Sequence, residues 1–301
     1  MLMSKTPTVV AEADEFDRSF LQLHPAIAAI TAMDADHLDI YGDLEHVQEA
    51  FREFASQISE TLILKYGCPI SQDQISARIY TYHFDDERAD IHSTNLRLSA
   101  DGHYTYDLVY PAGVLKDIRV GTLGWVNVEN SIAAAAICLC YGTDAQKIRH
   151  AIGTYQGAQR RLDEHVNKPG LAYIDDYAHH PAELASAISS IRGIFPGRRI
   201  TAVFQPHLYT RTRDFAHEFA EALSGVDKLI LLDIYPAREL PIEGVTSEII
   251  FKDVTAPEKV MLPKEELMDY LAKEDLDVLV TFGAGNIDRF IAPIREMLEK
   301  R

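Results

Sequence analysis

Short apolar runs of strand length alternate with longer stretches of helical spacing, and the pattern changes character near Gly157. Thr8–Asp14 and Ala26–Thr31 are short continuous apolar runs, as in strands of a parallel sheet covered on both faces. Phe16–Pro25 between them is short for a parallel crossover, so their partner strands are expected outside this chain. Asp43–Ile58 places Leu44, Val47, Phe51, Phe54 and Ile58 on one helical face, with Asp43 as N-cap. Arg78–His83, Ile91–Leu98, Tyr104–Tyr110 and Val114–Val120 alternate and are broken by turns such as Asp101-Gly102. That pattern predicts antiparallel strands. Helices are expected at Val126–Tyr141 and Asp144–Tyr155.

Beyond Gly157, strands and helices take turns. Strands are predicted at Ala172–Ile174, Ile200–Phe204, Lys228–Asp233 and Val278–Phe282. Helices are predicted at Pro181–Ile194, Arg211–Leu223, Lys264–Lys273 and Ile287–Leu298. This order defines an α/β chain with a doubly wound parallel sheet in its second half. The boundary is placed at about 157–160, giving domains 1–158 and 159–301.

Composition removes several classes. Lys+Arg 29 against Asp+Glu 46 gives 29 − 46 = −17 over 301 residues. So acidic a chain lacks the broad positive surface of a nucleic-acid or anionic-membrane binder. The longest apolar stretch, Ile132–Tyr141, is far short of the roughly 20 residues a membrane span needs. No charged leader with an apolar core opens the chain, so a cytoplasmic location is expected. Three cysteines, Cys68, Cys138 and Cys140, have no ligand-like spacing and read as reduced core thiols.

Four clusters carry candidate chemistry. Glu12-Ala-Asp14-Glu15 and Asp34-Ala-Asp36-His37-Leu38-Asp39 each follow a predicted strand. In open α/β sheets, ligands bind beyond the carboxyl ends of strands. Such groups suit a divalent cation bridging phosphates, and equally suit solvated loop acids and helix caps. Asp175-Asp176-Tyr177-Ala178-His179-His180-Pro181 ends one strand and opens a helix, with Pro181 suited to its first position. The histidines there are placed to bind an anion or move protons. Phe204–Arg213 follows the next strand and sets His207 near Arg211 and Arg213. That suggests recognition of a small carboxylate, or a cationic loop paired with surface acids. Arg160-Arg161 at the boundary suits either a phosphate or a structural ion pair. Gly283-Ala-Gly285-Asn286 suits close backbone approach.

Taken together, these strings resemble the Mur ligases, ATP-dependent amide-forming enzymes of peptidoglycan precursor synthesis. The likeness runs through EADEFDRSFLQLHP (12–25), DADHLDIYGD (34–43), GWVNVENSIAAAA (124–136), DDYAHHP (175–181), FQPHLYTRTRDF (204–215), LDIYPARELPIEGV (232–245) and GAGNID (283–288). The resemblance implies part of a central ATPase domain followed by a Rossmann-like amino-acid-binding domain. It implies that ATP activates the carboxylate of UDP-N-acetylmuramate as an acyl phosphate, which L-alanine then attacks. The alternatives are the family's murein-tripeptide recycling ligase and a non-catalytic nucleotide- or amino-acid-binding remnant. Carried onto this chain, the family pattern makes Glu12 and His37 ligands of Mg²⁺. It sets Asn127, Asn130 and Tyr177 at the adenine. Asp176 falls at the ribose and Arg161 at the γ-phosphate. His179, His207 and Arg211 would hold L-alanine, and Glu12, His37, Arg161 and His179 form the catalytic set.

The chain departs from the family pattern at Val126, where histidine is frequent, and at Leu208, where arginine is frequent. No G-x-x-x-x-G-K-[ST] string occurs in the 301 residues. The resemblance therefore implies a C-terminal portion of a ligase, without its phosphate loop and UDP-sugar domain, and inactive by itself.

Overall fold

Leu62, Ile63 and Leu64 are fully buried and form the middle of a strand that patterning missed, Thr61–Lys65. The computed structural model describes residues 8–34 and 38–301. In chain order the first half comprises β1 (Ile27–Ile30), α1 (Leu38–Tyr41), α2 (Leu44–Ser56), β2 (Thr61–Lys65), β3 (Arg78–His83), β4 (Ile91–Leu98), β5 (His103–Tyr110), β6 (Gly113–Leu123), α3 (Trp125–Cys140) and α4 (Ala145–Thr154). The second half comprises β7 (Asp163–Lys168), β8 (Leu171–Asp176), α5 (Pro181–Ile194), β9 (Ile200–Phe204), α6 (Tyr209–Asp214), α7 (Ala216–Leu223), β10 (Lys228–Leu231), α8 (Glu248–Phe251), β11 (Glu258–Met261), α9 (Leu267–Leu271), β12 (Val278–Phe282) and α10 (Ile291–Glu299).

The chain divides into two units. One holds the chain through Leu96, with Tyr106–Ile118 and Glu129–Ala151; the other holds Arg97–Thr105, Arg119–Val128 and Ile152–Arg301.

The first sheet has the order β1-β2-β3-β4-β5-β6. In the first unit, α2 packs Val47, Ala50 and Phe54 against Ile30, Leu62 and Leu64. Asp43 caps α2 as expected, accepting from the His46 amide at 3.0 Å. Three expectations fail. The partner of β1, expected outside this chain, is β2, joined in parallel from Ile27↔Thr61 to Ile30↔Leu64. Thr8–Asp14 belongs to neither sheet, and Val9 and Val10 are 70% and 95% exposed. An apolar run becomes a strand only where a neighbour takes its backbone ladder, and among the described residues none does. Patterning predicts Arg78–His83 and Ile91–Leu98 to be antiparallel, yet β3 joins β4 in parallel through Tyr82↔Ile91 and His83↔His92. The seven residues between them loop around instead of forming a hairpin. The β4–β5 and β5–β6 connections are tight turns, and turns that short allow only antiparallel neighbours.

The second sheet runs β11-β10-β9-β12-β8-β7, parallel except for β7. Its four inner strands β8, β9, β10 and β12 are buried throughout, and their alternate residues enter two cores, as a sheet covered on both faces requires. Ile174, Ala202, Phe204 and Val280 meet Leu184, Ile191 and Phe219 of α5 and α7. Tyr173, Val203, Ile230 and Leu279 meet Leu267, Leu271, Ile294 and Leu298 of α9 and α10. This is the doubly wound α/β sheet the alternation predicted. The helix expected over Arg211–Leu223 breaks at Phe215, where φ −121° and ψ 24° leave the helical region. The cysteines are free, but Cys68, which packs against the first unit's core, and Cys138 are only half-buried and Cys140 is exposed, so none is a fully buried core thiol. Among the described residues, no helix is long and apolar enough to cross a membrane.

Candidate functional site

The carboxyl ends of β8, β9 and β12, and the loop after β10, supply the residues of one site in the second unit. Gly283 and Gly285 let the segment after β12 approach its neighbours. A Cβ on Gly283, at φ 138°, would lie 2.7 Å from the Gln205 carbonyl oxygen. One on Gly285 would lie 2.7 Å from Gln205 Oε1 and 2.8 Å from the Tyr235 side chain. Gln205, almost wholly buried, fixes this approach: Nε2 donates to Asn286 Oδ1 and Oε1 accepts from the Ile287 amide, both at 3.0 Å.

Arg160 locks the opposite side. Its Nε donates to Asp175 Oδ2 at 2.8 Å, and an Nη donates to the Gly283 carbonyl. Thr281 Oγ1 donates to the other oxygen of Asp175, which has no exposed surface. The Tyr173 hydroxyl lies 3.2 Å from Thr281 Oγ1, and burial pushes its pKa well above the ordinary tyrosine range. Asp176 is bonded on both oxygens, accepting from the Leu162 and Ala178 amides at 2.8 Å. Burial nonetheless raises its pKa, with Asp175 adding to the rise. A carboxylate has about four lone-pair sites, so two acceptor positions are left on Asp176. Arg161, next to the locked arginine, is exposed and makes no side-chain hydrogen bond among the described residues. The two readings of the Arg160-Arg161 pair thus separate: Arg160 is the structural ion pair and Arg161 the open cation.

Four rings follow one another across the strand ends. Tyr177 lies 5.1 Å from His179, His179 6.0 Å from His207, and His207 5.7 Å from Tyr235. His179 Nδ1 faces two acceptors, the Tyr177 carbonyl at 3.1 Å and Glu183 Oε2 at 3.2 Å. A neutral imidazole so placed carries its proton on Nδ1 and its lone pair on Nε2. Glu183 Oε2 also accepts from the His179 and His180 amides at 2.9 and 3.1 Å, capping α5. Burial pushes the Glu183 carboxyl up, but those amides and the histidines bring it below its usual value.

His207 is joined to Tyr235 by an isolated parallel bridge. Its Nδ1 and the Nη1 of Arg211 are both buried and, among the described residues, without a hydrogen-bond partner. Burial, with Arg211 and His179 nearby, lowers the His207 pKa, while Glu239 opposes the shift. Two buried nitrogens without partners are costly unless a ligand completes them. A small anion, a carboxylate above all, has the acceptor geometry for a guanidinium.

The remaining candidates are more scattered. Asn127 donates to the Leu123 carbonyl at 2.8 Å near the start of α3. Asn130 is exposed three residues on, on the same helix. Glu12 is exposed in the segment outside both sheets, and His37 lies outside the described residues. Among the described residues, no cluster of three His, Cys, Asp or Glu side chains is poised to hold a metal. Sequence reasoning missed Gln205, Glu183, Thr281 and Tyr235. The one signal was their position inside or beside the quoted strings.

Two family models match the chain: the Mur ligase middle domain over residues 1–138, and the Mur ligase, glutamate ligase domain over residues 160–285. The chain belongs to the Mur ligase family. It is 46% identical to the UDP-N-acetylmuramate--L-alanine ligase of Parabacteroides distasonis, over 100% of this chain and 65% of that protein. It is 44% identical to the protein of that name from Flavobacterium johnsoniae, over 98% of this chain and 64% of that one. Among solved structures, UDP-N-acetylmuramate-alanine ligase MurC of Thermotoga maritima aligns with a TM-score of 0.71 at 20% identity, covering 94% of this chain and 62% of that one. MurF ligase of Thermotoga maritima in complex with ADP aligns with a TM-score of 0.64 at 16% identity, covering 94% and 65%. At such identities the structural likeness speaks to fold alone. The chain spans 63–66% of the length of the curated relatives it matches.

Proposed function

We propose that this chain supplies the amino-acid-binding part, and some of the ATP-binding part, of a ligase that joins L-alanine to UDP-N-acetylmuramate in the cytoplasm. The observation that carries the reading is the pair of buried, unpartnered nitrogens on Arg211 and His207 beside His179. Arg211 takes the L-alanine carboxylate, with His207 beside it. His179 Nε2, held as the lone-pair nitrogen, faces the amino group and accepts its proton before the amine attacks the acyl carbon, forming the amide C–N bond as the acyl C–O bond to phosphate breaks and inorganic phosphate leaves. We divide the domains at 158/159, which is supported by the family models ending at 138 and beginning at 160.

For ATP, the open guanidinium of Arg161 suits the γ-phosphate, and the two unused acceptor positions of Asp176 suit the ribose hydroxyls. Asn127, Asn130 and Tyr177 are the adenine candidates. Bound ATP supplies the phosphoryl group that activates the muramate carboxylate. Glu12 and His37 are the proposed Mg²⁺ ligands by family resemblance. Glu12 sits on an exposed segment, and among the described residues no cluster of three His, Cys, Asp or Glu side chains is poised to hold a cation, so no step is assigned to them. Because the sequence contains no phosphate-loop string, the chain alone is assigned binding without turnover.

Calorimetric or NMR titration of the chain with L-alanine tests the amino-acid site, with glycine and acetate as comparators. Saturable binding to L-alanine, lost in Arg211→Met, is expected. No binding, or binding unchanged by that substitution, refutes it. Release of phosphate from ATP, dependent on both L-alanine and UDP-N-acetylmuramate, would refute the assignment of binding alone.

A further inference from the structure

Leu208 lies between His207 and α6, the helix that carries Arg211, and its backbone stands at φ 71° and ψ 137°. Glycine enters that region freely; a side chain with a Cβ is strained there. The strain is held from both sides. The Leu208 amide donates to the Tyr235 carbonyl at 3.0 Å. The Leu208 carbonyl accepts from the Thr212 amide at 3.1 Å and from Thr212 Oγ1 at 2.8 Å. Thr212 has no exposed surface. The Tyr235 amide in turn donates to the Pro206 carbonyl at 2.8 Å, so the residue preceding His207 is tied to the same loop.

The reversal at Leu208 has a consequence for the two residues it separates. An ordinary extended φ would carry the chain straight on from His207, and α6 would start in a different direction. Here His207 and Arg211 are close enough for the guanidinium to act on the imidazole electrostatically. We propose that Leu208 and Thr212 form a strained clamp that sets the spacing of His207 and Arg211, which makes both positioning residues for the amino-acid carboxylate. The inference rests on the amino-acid reading above. A threonine hydroxyl bonded to the carbonyl four residues back is also an ordinary way to satisfy a helical threonine. The distinguishing feature is the strain, because glycine at 208 would make the clamp unnecessary.

The experiment uses the full 301-residue chain with Thr212→Val, Leu208→Gly and the pair. Valine keeps the shape of threonine and removes the hydroxyl. Thr212→Val is expected to weaken L-alanine binding about fivefold or more, the scale of one lost hydrogen bond. Leu208→Gly/Thr212→Val is expected to return to within about twofold of the parent, since glycine holds the reversed backbone without strain. A double variant no better than Thr212→Val overturns the clamp. The His207 titration, followed by NMR, reads the same spacing without ligand; Arg211, His179, Glu239 and Tyr235 are the groups facing that ring. It should stay depressed in the parent and the double variant and move toward the ordinary value in Thr212→Val. Identical titrations in the parent and Thr212→Val also overturn the clamp. A parent chain that fails to bind L-alanine sinks the amino-acid reading, while the His207 titration still decides the clamp.

Discussion

Arg211 Nη1 and His207 Nδ1, on side chains four residues apart across a reversed backbone, are both buried and, among the described residues, both without a hydrogen-bond partner. A site that keeps two polar atoms unsatisfied holds them ready for a ligand at a cost in stability. Arg211→Met should therefore leave the melting temperature unchanged or raise it, while abolishing L-alanine binding. Thermal denaturation with and without L-alanine separates the two effects. A large fall in stability would mark Arg211 as structural.

The Arg160–Asp175 pair should behave in the opposite way. Arg160→Met leaves the buried Asp175 carboxylate with Thr281 alone and is expected to cost about 3–5 kcal/mol. Adding Asp175→Asn should recover most of that loss, because the uncompensated charge disappears. Urea unfolding of the two singles and the double measures the coupling; additive losses would contradict the ion-pair assignment.

Stability should depend on pH through His207. Its folded pKa lies below the ordinary histidine value of 6.5, chiefly through burial and then through Arg211 and His179. As pH falls below that value, the unfolded chain takes up a proton that the folded chain resists, so stability drops. The loss stops once pH passes the folded pKa. His207→Gln should flatten the melting-temperature profile in that window and leave it unaltered above neutrality. Parallel profiles for parent and variant would rule this out.

Gly285 offers a steric test. An alanine there would press its methyl into Gln205 Oε1 and the Tyr235 side chain at 2.7–2.8 Å. Overpacking of this kind costs about 1–3 kcal/mol. L-Alanine binding should weaken as well, since Tyr235 stacks on His207. An unaltered melting curve would show that the segment after β12 gives way freely.

The second half of the fold was legible because β8, β9, β10 and β12 are uninterrupted apolar runs spaced by helices. β7, Asp-Glu-His-Val-Asn-Lys, was not, since a polar edge strand carries no periodic signal. Thr8–Asp14 misled for the converse reason: its residues suit a strand, but pairing is a property of neighbours that composition does not record. At the site, His179, His207 and Arg211 stood out as residue types at strand ends. Which of two adjacent arginines is locked, and which open, depends on Asp175 and on Gly283, 123 residues away. No local pattern encodes that choice.

The strand order of the second sheet also bears on how the molecule is made. β12 lies between β8 and β9, yet it is the last strand in the sequence. A chain still on the ribosome can pair β9, β10 and β11, and β7 with β8, but these remain two half-sheets. The seam closes only when Val278–Phe282 has emerged, and Thr281 and Gly283 reach Asp175 and Arg160 in the same event. The L-alanine site proposed here would therefore come into being only once β12 has emerged, so ligand capture by stalled nascent chains would report that closure.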